Sequence, residues 1–206
     1  MAKREHRGKG TVSVWGGEEK SGSGKPTQVP IVQSVSFGYE DIDQWIRTGR
    51  GTEPGHIYSR NTNPTVTAFE EKVRLLEGAQ AATSFASGMA AISNTLFTLL
   101  SPGDRVVSIK DSYGGTRELF LEFLPRFSIG ATLCETTDHD QIETEVKKCC
   151  RVLYLETPTN PTLKVLAIER LAAAAHTAGA AVVLATTVAT PINQQPPRPQ
   201  PGLVIH

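Results

Sequence analysis

Ser84-Phe85-Ala86-Ser87-Gly88-Met89, running on into Ala90-Ala91-Ile92-Ser93-Asn94-Thr95-Leu96, is the stretch whose reading decides the fold. Small residues and a glycine stand where a helix has to begin. Met89, Ile92, Leu96 and Leu99 or Leu100 then recur on one face at helical spacing. Ser87 can cap this helix, and Gly88 lets the backbone approach whatever sits at its mouth. The first free N–H groups of such a helix converge on one spot, and the macrodipole favours an anion there. Taken alone, the stretch is an ordinary capped helix. The segments on either side of it decide between the two readings.

Downstream, Ser101-Pro102-Gly103-Asp104 is a turn. Arg105 to Ile109 reads as a short strand, Gly115 to Phe123 as a helix, and Ala131 to Cys134 as a second strand. Asp138 caps a helix that runs through Val146. Val152-Leu153-Tyr154-Leu155 is a continuous apolar run of the kind found in strands covered on both faces. Val165 to Ala178 is an alanine-rich helix, Ala180 to Leu184 another buried strand, and Leu203-Val204-Ile205 one more. Strands alternating with helices at this spacing predict an open, mostly parallel α/β sheet with helices on both sides. Ligands of such sheets bind at the carboxyl ends of the strands. The candidate loops are therefore Asp111-Ser112-Tyr113-Gly114-Gly115 and Glu156-Thr157-Pro158-Thr159-Asn160-Pro161.

Upstream, Asn63 or Thr62 can cap a helix with Pro64 in its first turn. Val66, Phe69, Val73 and Leu76 form its apolar stripe, and Gly78 stops it. Residues 1–55 are rich in Gly, Ser and charge and read as an extended arm, with Val29 to Phe37 its stickiest part; residues 56–206 read as the α/β domain. Such arms pack on something, in an oligomer often the neighbouring subunit. Gly24-Lys25 invites a phosphate-loop reading, but Glu19 stands where that pattern needs glycine, and Pro26 where it needs Ser or Thr. No Gly-x-Gly-x-x-Gly follows a predicted strand, which argues against a nucleotide-binding domain of the dinucleotide type.

The totals exclude other classes. The 21 basic and 21 acidic residues balance, so nothing suggests a nucleic-acid groove or a membrane surface. No apolar run approaches the roughly 18 residues of a spanning helix, and the N-terminus lacks a signal peptide's apolar middle. Cys134, Cys149 and Cys150 form neither a disulfide framework nor a metal-ligand spacing, and predict free thiols in a cytoplasmic protein with no metal site. The chain carries no internal repeat.

Four motifs now stand together: Tyr58-Ser59-Arg60-Asn61-Thr62-Asn63-Pro64, Ala86-Ser87-Gly88-Met89, Ser112-Tyr113-Gly114-Gly115-Thr116 and Glu156-Thr157-Pro158-Thr159-Asn160-Pro161. In this order and spacing they resemble the transsulfuration family of pyridoxal-phosphate enzymes, to which cystathionine γ-synthase, cystathionine γ-lyase, methionine γ-lyase and O-acetylhomoserine sulfhydrylase belong. The likeness runs from about residue 30 to Leu203-Val204-Ile205-His206. It implies the fold-type-I architecture, pyridoxal 5'-phosphate as cofactor, an amino-acid substrate, and γ-elimination or γ-replacement on homoserine esters, cystathionine or related sulfur amino acids. By the same resemblance, Ser87, Gly88 and Met89 would hold the phosphate through backbone N–H groups. Tyr58 and Arg60 would reach the phosphate of a neighbouring subunit in a homodimer or homotetramer. Tyr113 would stack on the ring and take part in proton transfer, Asn160 would lie near the phenolic oxygen, and Glu156 would be a polar residue beneath it.

Two departures from the family pattern stand out. The family's aspartate, which keeps the pyridine nitrogen protonated, is replaced in Ala185-Thr186-Thr187, and Asp138 and Asp140 belong to another helix. The family's covalent lysine follows a few residues after the segment like Leu203-Val204-Ile205-His206, so the resemblance places it beyond His206, with the C-terminal domain also missing. Lys110 and Lys164 are its only tempting stand-ins, and both read as ordinary solvated lysines. Gln195-Pro196-Pro197-Arg198-Pro199-Gln200-Pro201-Gly202 puts prolines where the family has helix formers. The expectation is therefore the amino-terminal half of such an enzyme, inactive on its own. The alternative is a non-catalytic relic that binds but turns nothing over.

Overall fold

The computed structural model describes residues 8–17, 28–195 and 202–206. Gly24-Lys25-Pro26 and the prolines between Pro196 and Pro201 lie outside the described residues. By its internal contacts the chain divides into two units, residues 1–84 and residues 85–206.

Among the described residues the first unit holds three helices, α1 (Lys9–Trp15), α2 (Ile42–Gly49) and α3 (Pro64–Glu77). Two of them fall in the stretch expected to be an extended arm. Asp41 caps α2 by accepting from Asp43 N, and Arg47 in its last turn pairs with Glu53 at 2.9 Å. Asn63 caps α3 as expected, accepting from Thr65 N, while its Nδ2 donates to Val32 O (2.9 Å) and Ser59 Oγ (3.1 Å). One buried amide thus caps a helix and pins the preceding chain. Gly78 ends α3 in the left-handed region (φ 66°). Gly17, at φ +81°, lies against α3 so closely that a Cβ there would sit 2.2 Å from Ala68 O, so only glycine fits. The predicted stripe on α3 is incompletely covered, with Val66 and Phe69 exposed.

The second unit contains α4 (Gly88–Leu99), β1 (Arg105–Ile109), α5 (Gly114–Glu118), β2 (Gly130–Cys134), α6 (His139–Val146), β3 (Val152–Glu156), α7 (Ile168–Thr177), β4 (Ala181–Ala185), α8 (Thr190–Asn193) and β5 (Leu203–Ile205). The strands form one parallel sheet in the order β2-β1-β3-β4-β5. Each predicted strand is present within a residue or so. The helix expected from Gly115 to Phe123 is α only as far as Glu118. It continues as a π turn over Leu119–Phe123 and a 3-10 turn over Leu124–Phe127. Helix α7 starts at Ile168 rather than Val165, because Thr157 Oγ1 and Thr159 Oγ1 accept from Leu166 N and Lys164 N and hold that stretch in a loop.

Alternate residues of each strand face opposite layers. Val107, Ile109, Leu153, Leu155, Val182 and Leu184 pack against Ile142 and Val146 of α6 and Leu171 and Ala175 of α7. Val106, Val152, Tyr154, Val183, Ala185 and Ile205 pack against Ile92 and Leu96 of α4 and against Leu119, Phe120 and Leu124. Phe120 meets Tyr154 edge to face at 5.3 Å. Each fully buried Leu, Val or Phe contributes about 1.5–3 kcal/mol of transfer free energy, so these two layers dominate the unit's stability.

At the amino-terminal end of the sheet, Arg105 donates to Thr132 Oγ1 (2.8 Å), to the Glu145 carboxylate (3.2 Å), and to the carbonyls of Glu145 and Lys148. One guanidinium therefore ties the start of β1 to β2 and to the end of α6.

All three cysteines are free. Burial pushes the Cys134 thiol up to about 11 and raises that of Cys150, whereas Cys149 is exposed. Reaction needs an accessible sulfur, so only the exposed Cys149 should react in the folded chain. A thiol-specific chromogenic reagent should titrate one cysteine in the native chain and three in denaturant, and Cys149→Ser should remove the native reaction. Rapid modification of Cys134 in the native state would contradict the packing of the α6–α7 layer.

Candidate functional site

Between β1 and β3 the order of strands reverses relative to the chain. The segment after β1 returns to β2 on one side, while β3 lies on the other. Ladder pairing between β1 and β3 covers Val106↔Val152 and Val107↔Leu153 and ends short of the strands' carboxyl termini. A crevice at such a reversal, at the carboxyl ends of the strands, is where parallel α/β sheets take ligands.

The loop after β1 places Tyr113 at the crevice. Ser112 is buried and its Oγ donates to Ile109 O (2.7 Å), turning the chain off the strand. Tyr113 follows in an extended conformation as the residue before α5, with its ring exposed. A Cβ on Gly115 would stand 3.0 Å from Tyr113 Cε1 and 3.2 Å from Met89 Sδ. Glycine there is what lets the tyrosine ring lie down beside Met89. Thr116 is fully buried one residue further on, with Oγ1 3.7 Å from Met89 Sδ.

Helix α4 brings its amino terminus to the same edge. Ser87 Oγ accepts from Ala90 N at 3.1 Å, which is the expected cap, while Ser87 and Gly88 remain exposed. The leading N–H groups of a capped twelve-residue helix make this a favourable place for an anion. A Cβ on Gly88 would meet only His206 O, at 3.9 Å. His206 follows β5, and its Nδ1 lies 3.2 Å from Thr186 Oγ1 at the end of β4.

Glu156 ends β3 and is 7% exposed. Its Oε2 accepts from Tyr113 N (2.9 Å) and its Oε1 from Asn160 N (3.0 Å). Burial raises its pKa, and the two N–H donors act in the opposite direction. Asn160 itself is exposed. The adjoining Lys164 forms an ion pair with Asp111, which holds the Asp111 carboxyl below its usual range. Lys110 is paired with Glu135.

Ser87, Gly88, Met89, Tyr113, Glu156 and Asn160 therefore gather at the carboxyl edge of one sheet. Tyr58 and Arg60 belong to the first unit. There Tyr58 bridges Ser36 as an isolated antiparallel pair, and the Arg60 guanidinium stands 5.3 Å from the Tyr58 ring centroid. Sequence reading did not find Thr116, Thr186 or His206. Their pairing partners are twenty or more residues away, and no local pattern signals them.

A profile of the Cys/Met metabolism PLP-dependent enzymes matches residues 10–206. The chain belongs to this family. It is 40% identical over 200 residues to an L-methionine gamma-lyase of Fusobacterium nucleatum subsp. polymorphum, covering 97% of this chain and 50% of that protein. It is 35% identical to a cystathionine gamma-lyase of Bacillus subtilis, over 96% of this chain and 50% of that one. Among solved structures, metB from Corynebacterium glutamicum superposes with a TM-score of 0.82 at 31% identity, over 90% of this chain and 46% of that chain. A structure described as an O-acetylhomoserine (thiol)-lyase from Campylobacter jejuni gives 0.84 at 30% identity, with the same coverage, and carries an N'-pyridoxyl-lysine-5'-monophosphate. The chain spans about half the length of the curated relatives it matches. The family depends on pyridoxal phosphate, so the residues at the crevice have to be tested against that group.

The fit is partial. A phosphate suits the α4 terminus, and a flat ring suits stacking on the exposed ring of Tyr113. The resemblance sets the pyridine nitrogen at the end of β4, where this chain offers the buried methyl of Ala185 in place of a carboxylate that would favour a protonated ring. Glu156 is the register partner of Ala185 on the same face, but both of its oxygens already accept backbone N–H groups.

The cap and the anion position are separable. Ser87→Ala should lower stability by about 1 kcal/mol, read from the denaturant midpoint. Ser87→Asp should retain the cap and keep that stability, yet weaken binding of a phosphate ester by placing a carboxylate beside it. Equal phosphate-ester affinity in the Asp variant and the wild type would remove the α4 terminus from the site.

Proposed function

We propose that this chain supplies the cofactor-holding part of a pyridoxal-phosphate enzyme that acts by γ-elimination or γ-replacement on a sulfur amino acid or homoserine ester, in the cystathionine γ-synthase and γ-lyase group. The observation that carries the reading is the meeting of the α4 terminus, Tyr113 and Asn160 at the strand-order reversal, joined through Glu156. When bound, the cofactor supplies an electron sink for bond breaking at the substrate Cα. The chain's own residues bind and orient. The N–H groups of Gly88 and Met89 would hold the phosphate, and the Tyr113 ring would stack on the cofactor. The phenol oxygen of exposed Tyr113 would give or take a proton, and Asn160 would orient the cofactor's phenolic oxygen. Tyr58 and Arg60 would complete the site of a second copy, which makes a homodimer or homotetramer the working form. Three free thiols suit a cytoplasmic enzyme.

A second reading rests on Ala185. Without a carboxylate to hold the pyridine nitrogen protonated, the electron sink is weak, and a chain of this kind would bind cofactor without turnover. The two readings part in one experiment. Pyridoxal 5'-phosphate is added to the protein isolated from its native source, with whatever sequence follows His206, the visible spectrum recorded, the complex reduced with borohydride and the peptides mapped. Turnover requires a reduced adduct on a defined lysine together with α-keto acid release from cystathionine or methionine. Saturable binding without an adduct supports the binding-only reading, and absence of binding sinks both.

A further inference from the structure

We propose that Glu156 is a positioning residue that fixes the Tyr113 ring and the Asn160 side chain relative to each other across the crevice. The inference rests on the reading above, in which Tyr113 and Asn160 face the cofactor.

The β1–β3 ladder ends at Val107↔Leu153, short of the level of the site. Two carboxylates join the loops: Asp111 pairs with Lys164 and accepts from Thr162 Oγ1 (3.3 Å), and Glu156 takes the backbone amides of Tyr113 and Asn160. One Glu156 oxygen takes Tyr113 N and the other Asn160 N, at 2.9 and 3.0 Å. A carboxylate suits the task because both of its oxygens only accept, whereas every other polar side chain of that length carries a donor. Seated at the end of a strand that is buried along its whole length, the carboxylate has little freedom of its own. Fixing Tyr113 N fixes the Cα–Cβ direction of an otherwise exposed residue, and the gap at Gly115 then receives the ring. Glu156 thus acts through the two residues that meet the ligand rather than by meeting it.

Glu156→Gln preserves volume but turns one oxygen into an NH2 group, which cannot accept, so one loop should come free. Amide hydrogen exchange in the cofactor-free chain reads the clamp directly. Wild type should protect both Tyr113 and Asn160 amides, and the variant should exchange at least one of them about tenfold faster while the α6–α7 layer stays protected. With pyridoxal 5'-phosphate at saturation, the circular dichroism induced in the cofactor band, per bound cofactor, should fall by about half or more, a signature that a loss of general stability does not produce in a still-folded chain. Glu156→Asp keeps both acceptors but shortens the reach, should give an intermediate signal, and carries the comparison if the Gln variant does not fold. Unchanged exchange at both amides, or unchanged ellipticity per bound cofactor, overturns the proposal. If wild type binds no cofactor, the functional reading fails by itself, and exchange at Tyr113 and Asn160 alone decides the clamp.

Discussion

A parallel sheet covered on both faces leaves polar groups little room except at its two ends, the buried hydroxyls of Ser108 and Tyr154 being exceptions inside the strands. All five residues of β3 are buried, and on β1 and β4 only the first residue is even half exposed. Unpaired polar groups inside such a layer cost about 1–3 kcal/mol each, so hydroxyls, amides and carboxylates collect where the strands stop. The α4 terminus, the Tyr113 loop and the Glu156–Asn160 loop share an edge for this reason. The binding chemistry is a consequence of how the core is built.

Ala185 shows the same constraint from the other side. The position lies in the last row of the sheet, paired with Glu156 and Ile205, and in this chain it is filled by a methyl that extends the apolar layer of Val183 and Tyr154. A carboxylate in that row would stand beside Glu156, and two buried carboxyls so placed raise each other's pKa unless a cation stands between them. The row without a ligand is thus more easily satisfied by alanine. The family's fold is kept over the part of its relatives that this chain spans, with a methyl at this position.

The sequence made the framework legible where local chemistry is decisive. Continuous apolar runs announced β3 and β4, and Asn63, Ser87, Asp138 and Gly78 cap or stop their helices as their side chains or backbone freedom predict. Helix α2 was legible in principle through Asp41, but the Gly- and charge-rich surroundings hid it. The π turn was not legible, because Leu119 and Leu124 are both buried five residues apart, a spacing outside the α-helical pattern. At the site, Tyr113, Ser87, Asn160 and Glu156 were all named through resemblance to the family. The hydrogen bond from Tyr113 N to the Glu156 carboxylate followed from neither residue type nor spacing, because the two lie 43 residues apart. Pairing of that sort is a property of the folded sheet, and no window of sequence contains it.

The Arg105 guanidinium gives the sheet an electrostatic polarity. At the rim opposite the crevice it grips β2, the end of α6 and the turn after it through several charge-assisted bonds, while at the crevice rim the carboxylates of Glu156 and Asp111 span the loops after β1 and β3. The seam beside β1 is thus laced by a cation at one end and by anions at the other. A ligand bridging the α4 terminus and Tyr113 would add one more tie across the anionic end.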